Sequence, residues 1–221
     1  MKDSDPLKIL LKKLQAGSVR EIISAGESDH VEFKQILPRG IKVARVIVGF
    51  ANTLGGVILV GVADDGRITG LANIPRVEKE MQYISDFLCS PPVKIEIYKI
   101  TISGKRILAA LVPESRKKPH KILKDGKDIL YVKVGDKVLQ ASKETERMIR
   151  NEPLSQSRRN LGRDESAILK LLADNDRITI VAIRYSLNYS RRRAERALVS
   201  LVRKGVLYSH DINGDQFYTL R

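Results

Sequence analysis

The apolar run VILVGVA at residues 57–63 is the feature that most constrains the fold of this chain. A surface strand alternates apolar and polar residues, whereas this run is continuous and is preceded by Gly55 and Gly56. We therefore predict a central strand that is buried on both faces. The sequence DDG that follows is a turn signal, and RITGLA is predicted to begin a returning strand.

Periodic segments around this run predict the remaining elements of a first domain. Apolar residues at helical spacing predict helices in DPLKILLKKLQ, SVREIIS, GIKVARVIVGFANTLG, VEKEMQYISDFLC and KETERMIRN. Strands are predicted in VEFKQIL, in VKIEIYKITISGKRILAALVPE as two strands joined by SGK, and in the hairpin DILYVKVGDKVLQAS. The mixture predicts an α+β domain with a mixed sheet over residues 1–150.

The pattern changes after residue 150. Residues 151–163, NEPLSQSRRNLGR, lack periodicity and are interpreted as a linker. Three helices are then predicted in DESAILKLLADN, ITIVAIRYSLN and SRRRAERALVSLVRKG, followed by the hairpin VLYSHDINGDQFYTL with its turn at Asn213-Gly214. Three helices and a two-stranded wing predict a winged helix-turn-helix domain over residues 164–221.

The formal net charge is +14, which points to a polyanionic partner, nucleic acid first and an anionic membrane second. Clustered Lys and Arg gain affinity for nucleic acid by releasing phosphate counterions. Residues 1–163 hold 30 basic and 19 acidic residues, a net of +11, whereas residues 164–221 hold 10 and 7, a net of +3. The first domain is thus at least as well suited to polyanions as the second. A generally basic, solvated surface is the alternative.

Other features of the sequence exclude several classes of protein. The single cysteine, Cys89, excludes an internal disulfide framework, and the three histidines lack metal-ligand spacing. No G-x-x-x-x-G-K-[ST] motif occurs, so an ATP site of P-loop type is not expected. No apolar run approaches the roughly 20 residues needed to span a bilayer. With no cleavable signal pattern at the N-terminus, we expect a cytoplasmic or nucleoid-associated protein that does not contact membranes.

Acidic residues flank the predicted first and second strands of the sheet. Glu27 and Glu32 enclose the start of VEFKQIL, and Asp64 and Asp65 follow the buried run. Converging carboxylates suit hard divalent cations and leave room for water and phosphate oxygens. On spacing alone, the alternative is that these carboxylates are solvated in turns.

Basic residues in both domains are candidates for phosphate contacts. Those of the third C-terminal helix follow the predicted cap Ser190 and lie opposite its apolar face, at the end that enters a major groove in winged helices. Those of the RKKPHKILK segment lie in a loop between strands, which is otherwise a solvated connection. The wing domain could alternatively serve dimerisation. The candidates are Lys34, Arg39, Lys42, Arg116, Lys117, Lys118, Lys121, Lys133, Arg191, Arg192, Arg193 and Arg196.

The motifs ESDHVEFK, NTLGGVILVGVADDGRITG and YVKVG occur in this order, and with them the chain resembles the Schlafen-type AlbA domain, also called AlbA_2 or divergent AAA-4. The resemblance covers roughly residues 18 to 150. It implies nucleic-acid binding rather than ATP binding. Many relatives that look like transcriptional regulators join this domain to a C-terminal winged helix, which implies a DNA-binding regulator.

Some Schlafen relatives are endoribonucleases that cut structured RNA such as transfer RNA with a carboxylate triad and a divalent metal. The resemblance places that triad, and with it a Mg²⁺ or Mn²⁺ site, at Glu27, Glu32 and Asp64. It thus implies a second hypothesis, an endoribonuclease.

Two departures from the family pattern affect these hypotheses. Lys133 stands where the family commonly has arginine, and lysine cannot make a bidentate phosphate contact. Nuclease relatives carry two lobes in one chain, whereas this sequence has no internal repeat. A homodimer is therefore predicted, with a two-fold axis that matches a pseudo-palindromic DNA or clamps an RNA helix.

Overall fold

The computed structural model describes residues 6–124, 126–150, 161–173, 175–203, 206–212 and 215–220. Contacts divide the chain into two compact units, Met1–Val138 and Leu139–Arg221. In the first unit the helices are α1 (Pro6–Gln15), α2 (Val19–Ala25), α3 (Gly40–Asn52) and α4 (Ile74–Tyr83), which continues into a π-helical turn (Ile84–Leu88). The strands are β1 (Val31–Lys34), β2 (Gly56–Val60), β3 (Glu96–Ile102), β4 (Lys105–Val112), β5 (Lys121–Lys124), β6 (Lys127–Val134) and, across the division, β7 (Lys137–Gln140).

Four of these strands form a mixed sheet in the order β1-β2-β4-β3. β1 runs parallel to β2, while β4 is antiparallel to both β2 and β3. The predicted α+β class with a mixed sheet is therefore confirmed. Every residue of β2 is buried, as its continuous apolar run predicted.

The strand predicted to return at RITGLA does not form. Residues 67–72 contribute only an isolated bridge between Val62 and Ile68. The neighbour of β2 is instead β4, which pairs from Val57 with Leu111 to Val60 with Leu108. The position beside β2 where the turn signal predicted the second strand of a local hairpin is thus occupied by β4, a strand much later in the chain.

The sheet is covered on both faces, which explains why β2 has no polar side. Val57 and Leu59 belong to an apolar cluster with residues of α1 and α2. Ile58 and Val60 belong to the opposite cluster, with residues of α3, α4 and the π-helical turn. Because successive side chains of a strand point to opposite faces, burial on both sides requires a continuous apolar run.

A second sheet has the order β5-β6-β7. β5 pairs antiparallel with β6, and Ile122 and Tyr131 of these strands join the apolar cluster that contains α3. This places the basic segment at 116–121 and the YVKVG motif in the layer on the α3 side of the main sheet.

The second unit contains α5 (Lys143–Arg150), α6 (Arg163–Ala173), α7 (Ile180–Leu187) and α8 (Arg191–Arg203), followed by the antiparallel pair β8 (Leu207–Ile212) and β9 (Asp215–Leu220). The Thr145 hydroxyl of α5 donates to the carbonyl oxygen of Ser209 at 2.9 Å and accepts from its N–H at 3.0 Å. The structure thus groups α5 with the second unit, whereas the sequence pattern assigned residues 1–150 to the first domain. The turn at Asn213-Gly214 and linker residues 151–160 lie outside the described residues.

None of the helices in the described part of the chain combines the length and apolar character needed to cross a membrane.

Candidate nucleic-acid interface

Glu27 caps the free edge of β1. Its Oε1 accepts the backbone N–H of Phe33 at 2.6 Å. β1 is an edge strand, so N–H groups on its outer side have no neighbouring strand to bond. The preceding turn is closed by Ser28, whose backbone N–H donates to the carbonyl oxygen of Val31 at 3.0 Å. Glu27 therefore has a structural partner within its own motif.

Glu32 lies at the centre of a buried charge cluster. Its Oε2 is 2.6 Å from Lys133 Nζ, and its Oε1 is 2.6 Å from Lys34 Nζ. The side chain of Lys133 is 0% exposed, and its Nζ lies 5.7 Å from the ring centroid of Phe50. Because a buried charge is tolerated only with a close partner, each lysine offsets the desolvation of the carboxylate. Lys133 is thus occupied in the interior, away from any phosphate backbone.

The three carboxylates expected to hold a metal are not brought together. Across the residues that the structure describes, no group of three or more His, Cys, Asp or Glu side chains is placed to hold a metal ion. Glu27 caps β1, Glu32 is held by two ammonium groups, and Asp64 lies exposed after β2. A divalent cation at Glu32 would lie against two ammonium groups and be repelled by both, so this donor set does not fit the Mg²⁺ or Mn²⁺ site that the resemblance implied.

Asp65, the neighbour of Asp64, is engaged within its own turn. Its Oδ1 accepts the backbone N–H of Arg67 at 2.9 Å, and this hydrogen bond is the main reason that the pKa of Asp65 is lowered. The DDG segment therefore closes a turn.

The basic loop before β5 is anchored by Asn52 and His120. Asn52 Nδ2 donates to the carbonyl oxygens of His120 and Tyr131, at 2.8 and 2.9 Å, and its Oδ1 accepts the His120 N–H at 2.7 Å. His120 Nδ1 lies 2.7 Å from the Pro91 carbonyl oxygen, which can only accept, so Nδ1 carries the proton. Burial lowers the pKa of His120, which favours the neutral ring. Its Nε2 then accepts from the Ser115 hydroxyl at 2.6 Å.

This anchor separates the basic residues of the loop into two groups. Arg116 and Lys117 are exposed to solvent. Lys118 instead folds back, with its Nζ 2.5 Å from Glu114 Oε1 and its side chain only 7% exposed. Lys121 opens β5 and exchanges backbone hydrogen bonds with Ser90. Arg116 and Lys117 are thus the side chains that the loop presents outward.

Arg39 and Lys42 mark the start of α3. Arg39 precedes the first helical residue, Lys42 lies in the first turn, and both are exposed. They extend the basic surface of the first unit.

In the second unit, Arg193 fastens the start of α8 to the start of α6. Its Nη2 and Nε donate to the two carboxylate oxygens of Asp164, at 2.7 and 3.0 Å. The guanidinium lies 4.0 Å from the ring centroid of Tyr189, whose hydroxyl donates to Asp164 Oδ1 at 3.1 Å. The hydrogen bonds from Arg193 are the main reason that the pKa of Asp164 is lowered. Sequence reasoning missed Asp164 and Tyr189, and the Asp164 partner lies 29 residues from Arg193.

Arg191, Arg192 and Arg196 lie on the solvent side of α8. Ala194, Ala197, Leu198, Leu201 and Val202 are buried, as the apolar pattern predicted. Arg192 and Arg196, one turn apart, line an open depression together with Glu195, Val199 and Ser200. Arg191 pairs with Glu195 at 2.9 Å. The exposed face of α8 therefore carries Arg192 and Arg196 beside the Arg191–Glu195 pair.

Comparisons with solved structures give nine similar chains, including the two that follow. The N-terminal domain of a protein from Nitrosomonas europaea, described as related to the ATP-dependent DNA helicase RecG, has 25% sequence identity and a TM-score of 0.44 over 51% of this chain and 82% of that one. A protein from Corynebacterium diphtheriae has 21% identity and a TM-score of 0.41 over 58% of this chain and 24% of that one. Both TM-scores are below 0.5, so the likeness is limited.

A search of curated protein sequences finds none that matches this chain. The family model described as Schlafen, AlbA_2 matches residues 27–153, which is more than half of the chain. The matched segment begins at Glu27 and contains Glu32, the buried strand β2 and Lys133. The chain therefore belongs to the Schlafen AlbA_2 family, whose domain is broadly associated with nucleic acids.

Proposed function

We propose that this protein is a DNA-binding transcriptional regulator that binds as a dimer and places α8 in the major groove. The observation that carries the proposal is the pair Arg192 and Arg196, exposed one turn apart on α8 while the opposite face of the helix is buried. Guanidinium groups at this spacing can contact a phosphate or the edge of a guanine. The family membership independently supports a nucleic acid as the partner.

Arg193 supports the same function from a different position. Its two hydrogen bonds to Asp164 and its stacking on Tyr189 hold the first turn of α8 against α6. A helix that reads DNA must be held in a fixed orientation, because misplacement of a side chain loses its hydrogen bond. Arg193 is therefore proposed as a positioning residue, and Arg192 and Arg196 as the DNA contacts.

Salt-dependent binding to a labelled DNA duplex of mixed sequence tests the assignment. Replacing Arg192 and Arg196 together by alanine should weaken binding at all salt concentrations and reduce the salt slope by about 2, because each phosphate contact contributes roughly 0.9. The matched control is Lys170→Ala, which removes one exposed charge from α6. An unchanged dissociation constant and slope in the double variant would refute the role of α8.

Arg193→Lys separates positioning from contact. Lysine keeps the charge but cannot form the fork to Asp164, so binding should weaken while the salt slope stays that of the wild type. A reduced slope would instead make Arg193 a phosphate contact.

Dimerisation is the second part of the proposal, and it rests on the single AlbA-type lobe in the chain. A two-fold dimer would match a pseudo-palindromic DNA site. Light scattering at micromolar concentration should give twice the chain mass of 24.8 kDa. A sharp monomer mass would remove this part and leave the α8 assignment intact.

The second hypothesis, an endoribonuclease with Mg²⁺ or Mn²⁺ at Glu27, Glu32 and Asp64, gains no support from the contacts of these residues. Glu32 is held by two lysines and Glu27 by a backbone N–H. Cleavage of transfer RNA that disappears both with EDTA and with Glu32→Gln would reverse this preference.

A further inference from the structure

An aromatic pair stands exposed on the first unit, at the end of α4. Tyr83 is 56% exposed and Phe87 is 72% exposed, with ring centroids 5.1 Å apart and planes inclined by 32°. The other three phenylalanines of the chain, Phe33, Phe50 and Phe217, are all buried. Exposing two large rings side by side costs hydrophobic free energy, so such a pair marks a surface that a partner covers.

The pair is carried by a rigid element. Tyr83 ends α4 and Phe87 lies in the π-helical turn, while Ile84 and Ser85 between them are buried. Leu88 of the same turn packs against the start of α3 so closely that a Cβ on Gly40 would lie 2.7 Å from its Cδ1. The rings are thus presented on a packed helix, and π-helical turns recur at functional sites.

Basic side chains lie on the same helix and beside it. Arg76, Lys79, Tyr83 and Phe87 follow one another at intervals of three or four residues along α4 and its π-helical continuation, and all four are exposed. The contact between Leu88 and Gly40 packs the start of α3, with exposed Arg39 and Lys42, against the π-helical turn that carries Phe87.

Acidic residues of this element do not remove the positive character of the surface. Glu78 pairs with Lys99 at 2.7 Å, and Asp86 accepts from the side chain of Gln82 at 3.2 Å. The surface thus has two further acidic residues, Glu80 and Asp86, and four exposed basic ones, which are Arg39, Lys42, Arg76 and Lys79. Residues 1–138 as a whole carry 24 basic and 16 acidic residues, a net charge of +8. The partner of this surface should therefore be negatively charged and carry flat apolar groups.

We infer that the aromatic pair is a stacking platform for a single-stranded nucleic acid. Bases stack on Tyr83 and Phe87, while Arg39, Lys42, Arg76 and Lys79 contact the phosphates. Stacking on aromatic side chains combined with a basic track is how proteins bind single strands without reading their sequence. The bases of a duplex are stacked on one another and do not offer their faces to such a platform. This site is separate from the duplex contact proposed for α8, and it takes a different ligand.

A single tryptophan reports stacking directly, because the wild-type chain contains none. Tyr83→Trp keeps a large ring at the site. Titration with single-stranded DNA and RNA of the same mixed sequence should quench its fluorescence, and the matching duplex should quench it far less. Equal quenching by duplex and single strand, or none by either, would overturn the inference.

The affinity measurement uses the double variant Tyr83→Ala/Phe87→Ala in the full chain. Its dissociation constant for the single strand should rise about 5-fold or more, because loss of one stacked base costs roughly 1–3 kcal/mol. The matched control is Ile9→Ala, an exposed apolar residue of α1 on the opposite side of the sheet. Duplex binding through Arg192 and Arg196 should remain that of the wild type, so failure of one proposal is distinguishable from failure of the other. An unchanged single-strand affinity would overturn the inference, and a dimer that becomes a monomer in the double variant would assign the pair to protein contact instead.

Discussion

The buried pair of Glu32 and Lys133 leads to a quantitative prediction for stability. Lys133→Met keeps the apolar stem of the side chain and removes only its charge, which leaves the carboxylate of Glu32 buried with Lys34 as its remaining partner. Removing one member of a buried ion pair costs about 3–5 kcal/mol. Because Lys34 is retained, we expect the lower end, about 3 kcal/mol, which corresponds to a fall of roughly 10 °C in the melting temperature of a unit of this size.

The chain offers a matched control for burial. Lys99 pairs with Glu78 at 2.7 Å, nearly the same distance, but the two side chains are 58% and 34% exposed. Lys99→Met should cost less than about 1 kcal/mol, because water and salt screen an exposed pair. Urea unfolding followed by far-UV circular dichroism measures both variants against the wild type.

A double variant shows whether the loss of stability in Lys133→Met comes from the carboxylate of Glu32, which has lost its partner. Glu32→Gln in the Lys133→Met background removes the carboxylate that lost its partner, so the two losses should be strongly non-additive. If Lys133→Met costs no more than Lys99→Met, or if the two losses simply add, then Glu32 and Lys133 are not the coupled pair described above. A metal-ligand role for Glu32 would then regain support.

Two further predictions concern buried polar side chains. Asn52→Leu leaves three backbone groups of His120 and Tyr131 without their hydrogen-bond partner. Each such group costs roughly 1–3 kcal/mol, so the free energy of unfolding should fall by about 3 kcal/mol or more. Hydrogen exchange in the basic loop should become faster. Unchanged exchange there would contradict the anchor. Burial lowers the pKa of His210 from 6.5 to about 4. The unfolded chain therefore takes up a proton first as the pH falls, and the stability of the second unit should drop by about 3 kcal/mol between pH 6.5 and 4. Urea unfolding at several pH values measures this drop, which His210→Gln should abolish; the same drop in that variant would assign it to other groups.

Secondary structure was largely predictable because its signals are local. The buried strand β2, the helix α3 and the β3–β4 hairpin each follow from spacing within a short stretch of residues. The prediction of a returning strand at RITGLA was wrong because β2 pairs with β4, at residues 105–112, instead of with the segment that directly follows it. Strand pairing depends on which segment completes the sheet. A local turn signal carries no information about a strand further along the chain that pairs with β2 instead.

The candidate site was less predictable, because a charged side chain's role depends on its neighbours in space. Glu27, Glu32 and Asp64 belong to neighbouring sequence motifs. Glu32 nevertheless forms its ion pair with Lys133, which lies 101 residues away in the sequence. Arg191 and Arg193 follow one another closely on α8, yet one pairs within the helix and the other with Asp164 on α6. Phe87 reads as an ordinary helical apolar residue, and only the packing around it leaves the ring exposed.

The sequence by itself determined the family motifs, the mixed α+β character, the basic charge and the apolar face of α8, since each depends on residue type and short-range periodicity. Tertiary structure alone decided that Lys133 neutralises a buried carboxylate, that Arg193 clamps two helices and that Tyr83 and Phe87 stand together in solvent. The physical reason is that burial, pairing and exposure are properties of three-dimensional neighbours, and for these side chains the decisive neighbours come from other elements of the fold.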